Sequence, residues 1–137
     1  MSNETGRSEA GSLQARELGA SLSVNDLEKS LAFYTDVLGF TIDRKHEREG
    51  NLMAVSLRAG VVRLLINKDN GARGVDRVKG EGFSLMLTTA QNVDDLAAGI
   101  KARGGTLLSE PADGPGGRAF RLADPDGFRL VIASERK

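Results

Sequence analysis

The sequence predicts an α+β fold: two tandem βαβββ modules whose mixed sheets curl around a shared cavity. Three observations carry this. Arg63-Leu64-Leu65-Ile66 returns almost unchanged as Arg129-Leu130-Val131-Ile132, 66 residues later. The same succession of patterns, a strand, a helix and three more strands, is run through twice. The 137 residues also suffice for one sizeable core but not for two ordinary independent domains.

The first module spans about residues 17–67. Glu17 to Val24 is a short, partly alternating run that reads as a strand and stops at Asn25-Asp26, a helix-start signal. Leu27, Leu31, Tyr34 and Leu38 then recur at helical spacing as one apolar stripe, and Gly39 follows as a C-terminal stop. Phe40 to Glu47, Leu52 to Arg58 and Val61 to Asn67 read as three strands, with hairpin turns expected at Gly50-Asn51 and Ala59-Gly60. Residues 68–82 lack periodicity and read as an exposed linker.

The second module spans about residues 83–134. Phe83 opens a strand, Asn92 is the helix cap, Val93, Leu96, Ala97 and Ile100 form the buried stripe, and Gly104-Gly105 is the stop. Thr106 to Glu110, Arg118 to Asp124 and Phe128 to Ser134 supply the last strands. One shift of 66 sends Asp26 to Asn92, Gly39 to Gly105 and Arg63 to Arg129. A four-stranded unit with one helix covers a single face of its sheet, so two units are expected to fold their open faces around a common hollow.

Composition removes several functions. Lysine and arginine total 19, as do aspartate and glutamate, so no net field draws the chain to nucleic acid or to anionic lipid. With no cysteine, disulfides, thiol catalysis and thiolate metal sites are all absent. Residues 1–16 are polar, without the apolar stretch of a signal peptide, and no segment reaches membrane-spanning length. The expectation is a soluble cytoplasmic protein with a disordered lead. Five Phe, one Tyr and no Trp give little material for stacking a large planar ligand.

Leu22 to Phe40, "LSVNDLEKSLAFYTDVLGF", and Asp124 to Leu130, "DPDGFRL", resemble the two most recurrent signatures of the vicinal oxygen chelate superfamily. That group includes glyoxalase I, extradiol dioxygenases, fosfomycin-modifying enzymes and bleomycin resistance proteins. The resemblance covers about residues 17–134, and because its motifs are cap, stripe and turn residues it implies the fold rather than the reaction. Metal-dependent members place ligands on the first and last strand of each module. Those places fall here at Gly19, Leu65, Leu85 and Val131, and a shift of one residue offers no better set. None carries a donor for a divalent ion, so neither metal nor other cofactor is expected.

Strand periodicity from those positions turns Ser21 and Ser23 inward, with Phe83 and Leu87 beside Leu85, Arg63 beside Leu65 and Arg129 beside Val131. The expected ligand site is therefore Ser21, Ser23, Arg63, Leu65, Phe83, Leu85, Arg129 and Val131, an apolar floor with two hydroxyls and a repeated arginine. Arg63 and Arg129 read either as guanidinium forks for a carboxylate or phosphate, or as rim arginines paired with nearby acids. His46, the single histidine, reads as a solvent-facing strand residue, and Asp124 and Asp126 as turn formers.

The function expected first is a metal-free binder of a small, largely apolar molecule, acting as a homodimer, with bleomycin-resistance proteins as the nearest class. A metal-dependent lyase or dioxygenase with ligands elsewhere in the chain, or a metal-independent isomerase, is the second, and a domain that associates with another protein the third.

Overall fold

The computed structural model describes residues 12–74 and 77–135. Of the expected disordered lead, residues 1–11 lie outside the described part, while 12–16 run irregular and exposed. The first module is β1 (Ala20–Val24), α1 (Leu27–Ala32), β2 (Thr41–Arg48), β3 (Asn51–Ala59) and β4 (Val62–Lys68). The second is β5 (Leu85–Thr89), α2 (Val93–Ala102), β6 (Leu107–Gly114), β7 (Gly117–Ala123) and β8 (Arg129–Ser134). Each module forms one mixed sheet, in the orders β1-β4-β3-β2 and β5-β8-β7-β6. The first and last strands of each run parallel and the rest antiparallel.

Local chemistry accounts for the element ends. Asp26 accepts from the Lys29 amide at 3.1 Å and Asn92 from the Asp95 amide at 3.0 Å, so both helices begin on side-chain caps. Beyond Ala32 the first helix widens over Phe33–Val37, where the Leu38 amide reaches the Phe33 carbonyl, five residues back, at 3.0 Å. The β2–β3 hairpin turns on Glu49 and Gly50, one residue earlier than expected, with both in the left-handed region.

The two halves do not obey one offset. Ala20 pairs with Leu64 and Leu85 with Leu130, so β4 maps onto β8 by 66 residues but β1 maps onto β5 by 65. The cause is one additional residue: Asn25 alone separates β1 from its helix cap, whereas Ala90 and Gln91 separate β5 from Asn92. Because strand side chains alternate, a slip of one residue exchanges the faces of β5. Leu85 and Leu87 thus pack on the core side, and Ser84, Met86 and Thr88 take the opposite face.

Both sheets turn their helix-bearing faces toward one common core. Leu22, Val24 and Ile66 of the first sheet share it with Phe120, Leu122 and Leu130 of the second, and with Tyr34 and Ile100 from the two helices. The "DPDG" turn joins the modules as well as reversing the chain. Asp124 receives the Tyr34 hydroxyl at 2.7 Å and the amides of Asp126 and Phe128, each at 2.9 Å. Asp126 receives the Asn25 amide at 2.9 Å and the Ser30 hydroxyl at 3.2 Å. Burial raises the Tyr34 hydroxyl far above its ordinary pKa, so it remains a donor, and burial likewise raises the Asp124 carboxyl.

The connecting segment is partly interior, contrary to the exposed linker expected from its composition. The Lys79 ammonium is buried, donating to the Ser23 carbonyl at 2.9 Å and to Asp69, which also receives Arg77 at 2.8 Å. Gly80, at φ +75, lies so close to the turn that a Cβ there would stand 2.8 Å from the Phe128 Cα and 2.9 Å from the Gly127 carbonyl oxygen. Only glycine suits both that backbone angle and that approach.

Tyr34→Phe should lower unfolding free energy by about 1–3 kcal/mol, because a buried carboxylate loses a donor; urea denaturation with an unchanged m value checks this. Lys79 holds the Asp69 carboxyl well below the usual carboxylate range, chiefly through their hydrogen bond. A depressed folded pKa contributes stability that is complete above the unfolded value near ~3.9 and drains as pH falls below it. Lys79→Met should therefore melt roughly 10 °C below the parent at neutral pH, with the gap narrowing below about pH 4 in a pH series of thermal melts.

Candidate functional site

Two kinds of surface could receive a ligand: the outer faces of the sheets and the seam between the modules. On the first sheet the residues between the buried positions form the outer face. Register sets Ser21 beside Leu65 and Ser56, Ser23 beside Asn67 and Ala54, and Arg63 opposite Arg58. Asn67 donates to the Ser21 hydroxyl at 2.7 Å, and His46 Nε2 lies 3.3 Å from the Ser56 hydroxyl. The single histidine is exposed, as its surroundings in the sequence suggest, but it belongs to this face.

The second sheet's outer face carries Met86 beside Val131 and Arg121, and Arg129 opposite Ala123. Since both helix-bearing faces meet the same core, the two outer faces look away from each other. Ser21, Ser23, Arg63 and Leu65 are thus brought together, and Arg129 and the buried Val131 are together elsewhere. The eight expected residues do not converge within one chain. Phe83 precedes β5, half exposed, its ring centroid 6.1 Å from that of Phe128. Leu85 is on the core side because of the extra residue before Asn92, so the position equivalent to Gly19 is Ser84.

The corrected stations are Gly19, Leu65, Ser84 and Val131. Ser84 adds one neutral hydroxyl, and no imidazole or carboxylate stands at any of them, so the residues present do not fit a divalent ion. Among the described residues no three His, Cys, Asp or Glu side chains group closely enough to hold a metal, and no helix is long and apolar enough to cross a membrane.

One hollow lies at the seam between the modules, walled mainly by core-side residues. It measures about 440 Å³ and is walled by Ala20, Phe40, Leu64, Leu85, Leu87 and Leu130. The exposed Leu18, Val61 and Met86 border it together with Glu17, Arg63 and Ser84. A second hollow of about 490 Å³ shares Phe40, Val61, Val62 and Leu87 with it and continues to Leu96 and Ile100. The internal repeat explains this space: a shift of 66 places Ile100 where the first module has Tyr34, and Gly60 where the second has Asp126. The polar contact near that side is exposed: Arg103 Nε donates to the Val37 carbonyl at 2.9 Å. Strand parity alone could have flagged Leu64 and Leu130 as core-side residues, but which core-side residues leave a gap depends on how the modules dock.

Two βαβββ modules sharing one core, with "DPDG" as the joint, define a protein of the glyoxalase type. A family model described as Glyoxalase/Bleomycin resistance protein/Dioxygenase superfamily matches residues 18–132, and the chain belongs to that superfamily. It is 32% identical over 136 residues to a probable lactoylglutathione lyase of Vibrio cholerae serotype O1, covering 89% of this chain and 92% of that protein. To a lactoylglutathione lyase of Escherichia coli O157:H7 it is 27% identical, covering 88% and 93%. Among solved structures, a superfamily member from Sphaerobacter thermophilus superposes with TM-score 0.73 at 26% identity, covering 89% of this chain and 98% of that one. TnmS3, an antibiotic binding protein from Streptomyces sp. CB03234, gives TM-score 0.73 at 21% identity, covering 90% and 99%, and shares the fold.

Protein purified without chelators should contain no stoichiometric Zn, Ni, Fe or Mn by elemental analysis. Its melting temperature should be the same with and without EDTA.

Proposed function

We propose that the protein binds or sequesters a small, largely apolar molecule in the seam between its modules, without metal-dependent chemistry, and that it works as a cytoplasmic homodimer. The hollow of about 440 Å³ is the observation that carries this. It is the size of sites that take small organic ligands, and its walls are aliphatic and aromatic with few polar groups to orient a guest. Such a surface gains free energy by shedding water onto apolar matter.

Association is supported by what one chain leaves uncovered. Leu18 and Val61 are 98% and 97% exposed and Met86 is 70% exposed, all around the same opening. β1 and β5 each have one unpaired edge. A second copy of the chain would cover both kinds of surface.

A metal-dependent lyase is the second reading, favoured by the names of relatives at 32% and 27% identity. The donor set at Gly19, Leu65, Ser84 and Val131 weighs against it.

Titration with naphthalene and indole as apolar probes should raise the melting temperature saturably, as linkage requires of a ligand that binds only the folded state. Ala20→Phe, which fills the hollow from β1, should abolish the shift while the fold, read by circular dichroism, persists. Sedimentation of the same samples should give two chains per particle. No shift with either probe, or a full shift in Ala20→Phe, would remove the proposal.

A further inference from the structure

The two hollows at the seam follow one strand. The first touches β5 and its flank from Ser84 to Leu87, and the second continues from Leu87 to Gln91. A strand advances about 3.3 Å per residue, so the stretch from Ser84 to Gln91 measures about 23 Å. Phe40, Val61, Val62 and Leu87 wall both spaces and join them into one slot. Its far part is lined by Leu96, Ile100 and Ile132, while the polar residues there, Thr88 and Gln91, are exposed to water. A compact ring system would occupy one half of such a slot and leave the other unfilled.

Charged side chains border the slot at one end only. Arg63 and Glu17 line the first hollow, and no ionisable residue lines the second. Arg63 is fixed by β4, and Arg58 stands directly opposite it on β3, adding to the positive potential there. Asp43 counters Arg58 only at 3.7 Å, and among the described residues Arg63 makes no ion pair. Glu17 belongs to the irregular, exposed segment before β1 and stands beyond ion-pair reach of Arg63. The strand-held charge at this mouth is therefore a cation, and the rest of the slot is apolar.

We propose that the slot takes a long, unbranched alkyl carboxylate, with its head at Arg63 and its tail running past Phe40 and Leu87 to Ile100. This rests on the seam reading above and names the guest of that site. An alkyl chain is narrow enough to pass from one hollow into the next and sheds water along both. Its carboxylate stays at the mouth, where it remains hydrated and accepts charge-assisted hydrogen bonds from the guanidinium.

Thermal melts at matched ionic strength with naphthalene, hexanoate, dodecanoate and dodecan-1-ol, all below micelle-forming concentrations, test this. Dodecanoate should raise the melting temperature saturably and bind more tightly than hexanoate, by about fourfold for each further methylene the slot buries. Ala59 lines the far hollow from β3. Ala59→Phe should therefore weaken dodecanoate by about tenfold or more and leave naphthalene and hexanoate unchanged; Ala59→Leu takes its place if the ring unfolds the hairpin. Arg63→Gln should weaken dodecanoate about tenfold, the effect of losing one charge-assisted contact, and leave dodecan-1-ol unchanged. A naphthalene shift without a dodecanoate shift would overturn this proposal and spare the seam reading, whereas loss of both would remove the two together. Dodecanoate binding that either substitution leaves intact would also overturn it. So would a particle that dodecanoate splits into single chains, by showing that side chains of a second copy fill the slot.

Discussion

Asp124 is the constraint on which the arrangement of the molecule depends. Its carboxylate takes a hydroxyl from the first module's helix and two amides from its own turn, while Asp126 holds the start of that same helix. A carboxylate withdrawn from water is tolerated only when its oxygens are satisfied, so this turn favours the placement of the first module that satisfies them. That placement brings the helix-bearing faces together and leaves the outer faces apart. The pocket, the exposed strand edges and the isolation of Arg63 from Arg129 all follow.

The connecting segment reinforces the joint from below. Lys79 ties the end of β1 to Asp69, and Gly80 lets the backbone pass against the Asp124 turn. A buried ion pair is a poor source of net stability but a strict judge of geometry, since either partner alone would be costly. The chain thereby specifies how its two halves meet, while the chemistry of the hollow is left to apolar side chains. Membership of a superfamily that contains lyases and dioxygenases therefore does not by itself place their metal in this chain.

Much of the fold was legible in the sequence because it was written in local chemistry. The caps Asp26 and Asn92, the turn at Asp124 and the repeated strand around Arg63 and Arg129 each act through neighbours in the chain. The site was less legible. One extra residue between β5 and Asn92 reversed the strand's parity, and a uniform shift of 66 could not reveal it. That error put Leu85 and Phe83 beside Leu65 when Leu85 belongs to the core. Lys79 was hidden for a different reason: a lysine in an aperiodic polar stretch gives no sign of an acid and a carbonyl waiting for it. The expected hollow lies between the faces opposite the helices, and within one chain the contact of Tyr34 with Asp124, 90 residues away, holds those faces apart.

The joint at Asp124 has no counterpart on the far side of the repeat, where Ile100 and Gly60 occupy the matching places. Stiffness is therefore distributed unevenly around the core. Along one border, buried directional bonds resist sliding and separation alike; along the other, apolar contacts dominate beside one exposed hydrogen bond from Arg103 to the Val37 carbonyl. The margin with fewer buried polar contacts is the one that borders the cavity, so the shape of that wall rests on side-chain packing rather than on directional bonds.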